Sequence, residues 1–240
     1  MSRAPTTAMV LAAGLGTRMR PLTDDRPKAL VKVGGKALVD HALDRLAEVG
    51  VTRAVVNVHY FADALEAHLK ARSNHGSGPA ITISDERALL LETGGGVLKA
   101  RPSLGDEPIF VANIDSVWTE NAPALEALAD AWDPERMDAV LLLAPLAETL
   151  GFDGPGDFFR AEDGRISHRA GAPSAPFAYV GFQILKPQII AGPPDSAFSL
   201  FPSWMKASQA GRLYGVVLDG FWMHVGDPQA RDAAEVRLSA

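Results

Sequence analysis

Apolar residues along the chain fall into short uninterrupted runs that alternate with segments of helical periodicity. Residues 8–13, Ala-Met-Val-Leu-Ala-Ala, are such a run, closed by Gly14, and predict a buried strand. Leu38, Ala42, Leu46 and Val49 then recur at helical spacing, with Gly50 as the expected C-cap. A strand is predicted at 54–58, a helix at 62–71 around Leu65 and Leu69, and strands at 80–84 and 108–113. A helix follows at 123–132 and a strand at 139–143.

Strands and helices alternating through 1–145 predict an α/β fold with a doubly wound, mostly parallel, Rossmann-like sheet. After Pro145 the pattern changes. Residues 151–176 are rich in Gly, Pro and charge, with short strands expected at 158–160 and 165–167. A strand at 177–185, a helix at 198–210, strands at 213–218 and 221–225, and a helix from Pro228 complete the chain. With no internal repeat or low-complexity tract, residues 1–240 are expected to form one domain: a core at 1–145 and a smaller C-terminal subregion at 146–240.

Composition narrows the classes. Hydrophobic residues are 47% and charged residues 22%, enough for a sizeable core and unlike a disordered chain. The net charge of −6 argues against a general nucleic-acid surface but leaves room for a local basic pocket. The absence of cysteine excludes disulfides, zinc–thiolate sites and a cysteine nucleophile, and is compatible with a cytoplasmic setting. The run at 9–13 is too short for a signal-peptide core, and no stretch approaches the roughly 20 apolar residues needed to cross a bilayer. No membrane association is expected.

The most informative stretch is Leu11-Ala-Ala-Gly-Leu-Gly-Thr-Arg-Met-Arg-Pro-Leu-Thr23, followed by Pro27-Lys28. Glycines just past a strand let backbone N–H groups approach an anion closely. Arg18 supplies a fork of donors, Lys28 a compact charge and Thr17 a hydroxyl. Together they suit a triphosphate at the carboxyl end of a strand, where open α/β sheets bind ligands. The dinucleotide fingerprint lacks its third glycine here, and the P-loop lacks its Gly-Lys-Ser/Thr. The alternative is a surface loop with basic side chains.

This signature, continuing through Val33-Gly-Gly-Lys-Ala-Leu38, resembles that of the sugar-1-phosphate nucleotidyltransferases. Within them the chain is most similar to the N-acetylmuramate 1-phosphate uridylyltransferases. Glu92-Thr-Gly-Gly-Gly-Val97, Gly156-Asp-Phe158, Phe177-Ala-Tyr-Val-Gly181, Ala197-Phe-Ser-Leu200 and Leu213-Tyr-Gly215 carry that similarity.

The resemblance implies nucleotide binding by Leu11, Ala13, Gly14, Gly16, Thr17, Arg18 and Lys28, with Glu92, Gly94 and Gly95 as the base-binding segment. It implies catalytic roles for Arg18, Lys28 and Asp115, and places Asn113 near the sugar phosphate and Asp157 and Gly181 around the sugar. For Glu92 to Gly96 the alternative is a helix-entry turn, for Asp157 a turn acid, and for Gly181 a plain strand glycine.

Asp115 matches the family's metal carboxylate, and Mg²⁺, or else Mn²⁺, is the expected ion. Phe221-Trp-Met-His-Val-Gly-Asp227 departs from the family's Trp-x-Asp-x-Gly, with His224 where relatives have the second carboxylate. Either His224 ligates the metal, Asp227 substitutes, or one carboxylate suffices; alternatively His224 bonds a neighbour and Asp227 caps the last helix. Imidazole suits softer ions than Mg²⁺. His168 and Arg169 either meet an anionic sugar substituent or are solvated. Trp118, Trp132, Trp204 and Trp222 are expected in packing, Trp118 with a second option beside Asp115.

The expected partners are a nucleoside triphosphate and a sugar 1-phosphate, with UTP and N-acetylmuramic acid 1-phosphate the leading pair and the protein a monomer. The alternatives are a mannose-1-phosphate guanylyltransferase or similar enzyme, and a nucleotide-binding regulator without catalysis.

Overall fold

The computed structural model describes residues 4–74, 76, 78–193 and 195–239. The first part of the chain forms β1 (Thr7–Leu11), the hairpin β2 (Lys32–Val33) and β3 (Lys36–Ala37), α1 (Leu38–Glu48), β4 (Arg53–Val58), α2 (Ala62–Asn74) and β5 (Ala80–Asp85). Then come α3 (Glu92–Leu104), β6 (Ile109–Asn113), β7 (Ser116–Glu120), α4 (Ala124–Ala131) and β8 (Ala139–Pro145). The remainder forms β9 (Thr149–Leu150), β10 (Phe158–Arg160), β11 (Ile166–His168), β12 (Phe177–Leu185), α5 (Phe201–Gln209), β13 (Leu213–Val217), β14 (Gly220–His224) and α6 (Pro228–Leu238).

The main sheet runs β11-β10-β12-β6-β1-β4-β5, with β8 paired to β12 and β13 to β8. β5, β4, β1 and β6 are mutually parallel, as are β8 and β13; β12 runs against β6, β8 and β10, and β11 against β10. Alternate residues of β1 leave on opposite faces. Ala8 and Val10 join Leu38, Leu43 and Leu46 of α1 and Leu65 and Leu69 of α2, whereas Met9 joins Val97, Ala100 and Leu104 of α3. Burial on both faces is why these strands read as unbroken apolar runs rather than as alternation.

Four features depart from the pattern read in the sequence. β1 ends at Leu11, so Ala12 and Ala13 are already loop. α3, foreshadowed only by the alternative helix-entry turn at Glu92 to Gly96, takes these residues into the helix itself and starts at Glu92, although three consecutive glycines, poor helix formers, stand near its start. The α5 helix begins at Phe201 rather than 198, since the residues before it are bonded to α3. A second sheet, β7-β14-β9, was also not foreseen: β14 answers to the strand expected at 221–225, but β7 follows β6 after only two residues and β9 is two residues long. No helix among the described residues is long and apolar enough to cross a membrane.

Candidate functional site

β1 and β6 end level with each other, with Leu11 opposite Asn113 in the last register pair. A cavity of about 450 Å³ opens at these carboxyl ends. Its lining includes Leu11, Ala13, Gly14, Gly16, Thr17, Arg18, Lys28, Glu92, Asn113 and Asp115. Residues read as one phosphate loop, one base segment, one sugar contact and one metal carboxylate therefore face a common space.

The loop after β1 is held from below. Asn57, at the end of β4, accepts through Oδ1 from the amides of Ala12 (2.6 Å) and Ala13 (3.2 Å), and its Nδ2 donates to Glu86 Oε1 at 2.8 Å. Glu86 is fully buried and accepts from Leu91 N–H through its other oxygen. Gly16 has φ 62, and a Cβ there would meet Lys28 Cβ at 3.0 Å and Thr23 Cγ2 at 3.1 Å, so glycine is needed for conformation and for space. Thr23 donates its hydroxyl to the Gly16 carbonyl at 2.9 Å. No hydrogen bond among the described residues engages the amides of Gly14, Gly16 or Thr17, leaving these donors to the cavity.

Gly94 and Gly95 do not line the cavity, and both their amides donate to the Phe198 carbonyl, at 2.8 and 3.1 Å. A Cβ on Gly94 would meet the Phe198 ring at 2.6 Å, and one on Gly95 would collide with the Ser196 carbonyl. These glycines let the strap at 195–200 lie against the first turn of α3. From that turn, Glu92 and Thr93 reach the cavity, joined by Ser199 of the strap. Thr93 Oγ1 accepts from Leu200 N–H at 2.9 Å.

The Ile114-Asp115 turn leads from β6 into β7, which pairs antiparallel with β14 and sets Ser116 opposite His224. Val225 N–H donates to the Asp115 carbonyl at 2.8 Å. The small sheet thus brings His224 Nε2 to 3.5 Å from Asp115 Oδ2, the same oxygen that Lys28 Nζ approaches at 2.9 Å. Burial alone raises the Asp115 pKa, but the Lys28 charge and the His224 hydrogen bond outweigh it and hold the carboxyl well below the usual carboxylate range.

His224 Nδ1 lies 3.0 Å from the Gly151 carbonyl and donates to it, which turns Nε2 toward Asp115. A carboxylate and an oriented imidazole nitrogen 3.5 Å apart suit a divalent ion whose remaining ligands are water and phosphate oxygens. No group of three or more metal-ligating side chains occurs among the described residues. Asp227 caps α6, accepting from Ala230 N–H at 2.8 Å.

The other residues read as sugar contacts are placed differently. Gly181, at φ 100, lies against Asn113: an added Cβ would meet Asn113 Cβ and Ser116 Oγ at 3.1 Å. The Asp157 carboxylate accepts from Tyr179 N–H at 2.8 Å, outside the cavity lining. His168 packs edge-on against Phe201 and accepts from Ala170 N–H, while Arg169 donates to the Ala172 carbonyl. Trp118, Trp132 and Trp222 are buried, with Trp118 between Arg45 and Phe182. Trp204 donates to Gln183 Oε1 and packs against Tyr179.

Asn57, Glu86, Thr93 and Ser199 were not singled out from the sequence. A polar residue inside the apolar run 54–58 was the available signal for Asn57.

The family model for the MobA-like NTP transferase domain matches residues 8–148. An N-acetylmuramate alpha-1-phosphate uridylyltransferase of Caulobacter vibrioides is 59% identical, over all of this chain and 99% of the relative. A protein of the same name from Neisseria meningitidis is 35% identical over 91% of this chain and 92% of its own. A solved UDP-glucose pyrophosphorylase complexed with UDP-glucose superposes with a TM-score of 0.76 at 17% identity, covering 98% of each chain.

Proposed function

The chain belongs to the MobA-like NTP transferase family and is a sugar-1-phosphate nucleotidyltransferase, and from that premise we propose that it joins the uridylyl group of UTP to N-acetylmuramic acid 1-phosphate. The observation that carries the substrate pair is the 59% identity to the Caulobacter vibrioides uridylyltransferase over the whole chain.

An oxygen of the sugar phosphate attacks the α-phosphorus of UTP, the α–β phosphoanhydride bond breaks, and pyrophosphate leaves. Charge builds on non-bridging oxygens, so aligned cations and amides supply the catalysis and no protein nucleophile is required. The free amides of Gly14, Gly16 and Thr17 hold phosphate oxygens, and Arg18 and Lys28 neutralise them. Glu92 and Thr93 lie along the nucleoside, and Asn113 meets the sugar phosphate. Asp115 and His224 would hold Mg²⁺, or Mn²⁺, which when bound would screen charge on the phosphoryl oxygens. The part of the chain at 146–240 encloses the sugar. The enzyme works as a monomer in the cytoplasm, where its nucleotide is made.

The test is pyrophosphate release with Mg²⁺, crossing UTP, GTP, CTP and dTTP with the 1-phosphates of N-acetylmuramic acid, N-acetylglucosamine, mannose and glucose. Turnover concentrated on UTP and N-acetylmuramic acid 1-phosphate is expected. Preference for GTP with mannose 1-phosphate would discard the substrate pair and keep the reaction.

A further inference from the structure

We infer that Asn57 and Glu86 are buried positioning residues that fix the span between the loop after β1 and the first turn of α3, so that a ligand reaching both gains affinity that neither half receives alone. The inference rests on the nucleotide reading of the cavity and goes beyond it to the residues that set its dimensions.

The two side chains join the halves in one chain of hydrogen bonds. The Ala12 and Ala13 amides donate to Asn57 Oδ1, Asn57 Nδ2 donates to Glu86 Oε1, and Leu91 N–H donates to Glu86 Oε2 at 3.1 Å. Ala12 and Ala13 lead into the phosphate loop, and Leu91 precedes Glu92, which takes a left-handed φ of 57 as it enters the cavity. A non-glycine residue keeps that conformation only where its surroundings fix it, and the Leu91 bond to Glu86 is one such restraint. Asn57 and Glu86 are 3% and 0% exposed, and none of these partners is a cation. Burying a carboxylate without a cation is costly, so stability alone does not account for Glu86. Gly96 makes room for the pair: a Cβ there would stand 3.0 Å from both Asn57 Nδ2 and Glu86 Oε1. The third glycine of the 92–97 motif thus has a use separate from the strap.

The chain of bonds has a direction. Backbone donors arrive at both ends, from Ala12 and Ala13 on one side and from Leu91 on the other, so one amide and one carboxylate have to stand between them. Glu86→Gln turns its new NH₂ group against either Asn57 Nδ2 or the Leu91 amide. Asn57→Asp sets two carboxylates face to face. Making both changes restores every bond at the same net charge. The carboxylate at position 57 keeps the two loop amides and accepts from the side-chain amide at position 86, whose oxygen keeps Leu91.

The test is titration calorimetry of the full-length protein with Mg²⁺ and no sugar phosphate, comparing UTP with two of its parts, UMP and inorganic tripolyphosphate. Glu86→Gln should weaken UTP by about tenfold and either part by less than about threefold. Asn57→Asp with Glu86→Gln should return UTP to within about threefold of the wild type. An equal loss for UTP and tripolyphosphate would make Glu86 a support of the loop alone and overturn the inference, as would an unchanged UTP affinity. So would a double variant that melts at the wild-type Tm and still binds UTP weakly. Gly96→Ala crowds the middle bond without changing a polar group; it should repeat the pattern of Glu86→Gln, and decides the matter if that variant does not fold. Should the wild type bind another nucleotide more tightly, that nucleotide and its monophosphate replace UTP and UMP, so the uridylyl reading falls while this one is still tested.

Discussion

At the scale of single residues, the site depends on side chains of two kinds. Lys28, Arg18 and Asp115 line the cavity and meet the reacting groups in the proposed reaction, and their types were legible in the sequence because phosphate chemistry requires cations and a carboxylate for the metal. Asn57 acts underneath, and its role was not legible, since it depends on where β4 ends relative to β1. Replacing Asn57 with Ala leaves two amides and the buried Glu86 without their partner. Such losses cost about 3 kcal/mol together, so thermal unfolding of Asn57→Ala should show a lower Tm and weaker nucleotide binding.

Asp115→Asn should lower kcat by on the order of 10²–10³-fold. The depressed Asp115 pKa also has a stability consequence. The unfolded chain binds the proton near pH 3.8 while the folded one still resists it, so this contribution is present above that pH and is lost as pH falls below it. The Tm advantage of wild type over Asp115→Asn, whatever its size at pH 6, should therefore shrink below pH 4. A constant difference across that range would contradict the depressed pKa. At His224, an oxygen ligand favours the harder ion, so His224→Asp should raise the ratio of Mg²⁺- to Mn²⁺-supported turnover; an unchanged ratio would remove His224 from the metal.

At the scale of elements, the two glycine-rich segments look alike in sequence and do different work. Those after β1 leave amides open to the cavity; those opening α3 leave room for the strap at 195–200, whose Phe198 carbonyl takes the amides. Spacing alone does not separate these uses, because the second depends on a segment a hundred residues away. Substitution does. Gly14 has nothing within 4 Å of an added Cβ and no positive φ, so Gly14→Ala should keep its Tm while the KM for nucleotide rises. Gly95→Ala drives a methyl into the Ser196 carbonyl. Overpacking of this sort costs about 1–3 kcal/mol, so Tm should fall, and Glu92 and Thr93 should lose their placement in the cavity. Equal behaviour of the two variants would mean that the strap yields freely.

At the scale of the whole molecule, the apolar strands and amphipathic helices announced an α/β sheet, whereas the closure of the site by the β7-β14-β9 sheet was hidden, because β7 follows β6 after two residues and β9 has only two residues. That closure joins distant parts of the chain: Asp115 comes from the turn after β6, and His224 from the end of β14. The Asp115 carbonyl takes the Val225 amide, and the strap at 195–200 closes on α3 from another side. Ligand seated among these parts stabilises the contacts between them, because it binds the assembled state and not the opened one. Hydrogen exchange with UTP and Mg²⁺ should therefore slow at Val225, Gly94 and Gly95 as well as along 14–28. These three amides touch no ligand in the arrangement described, so their protection would report the coupling of seam and strap to the cavity. Protection confined to 14–28 would mean that the loop after β1 binds nucleotide while the seam opens and closes independently of it.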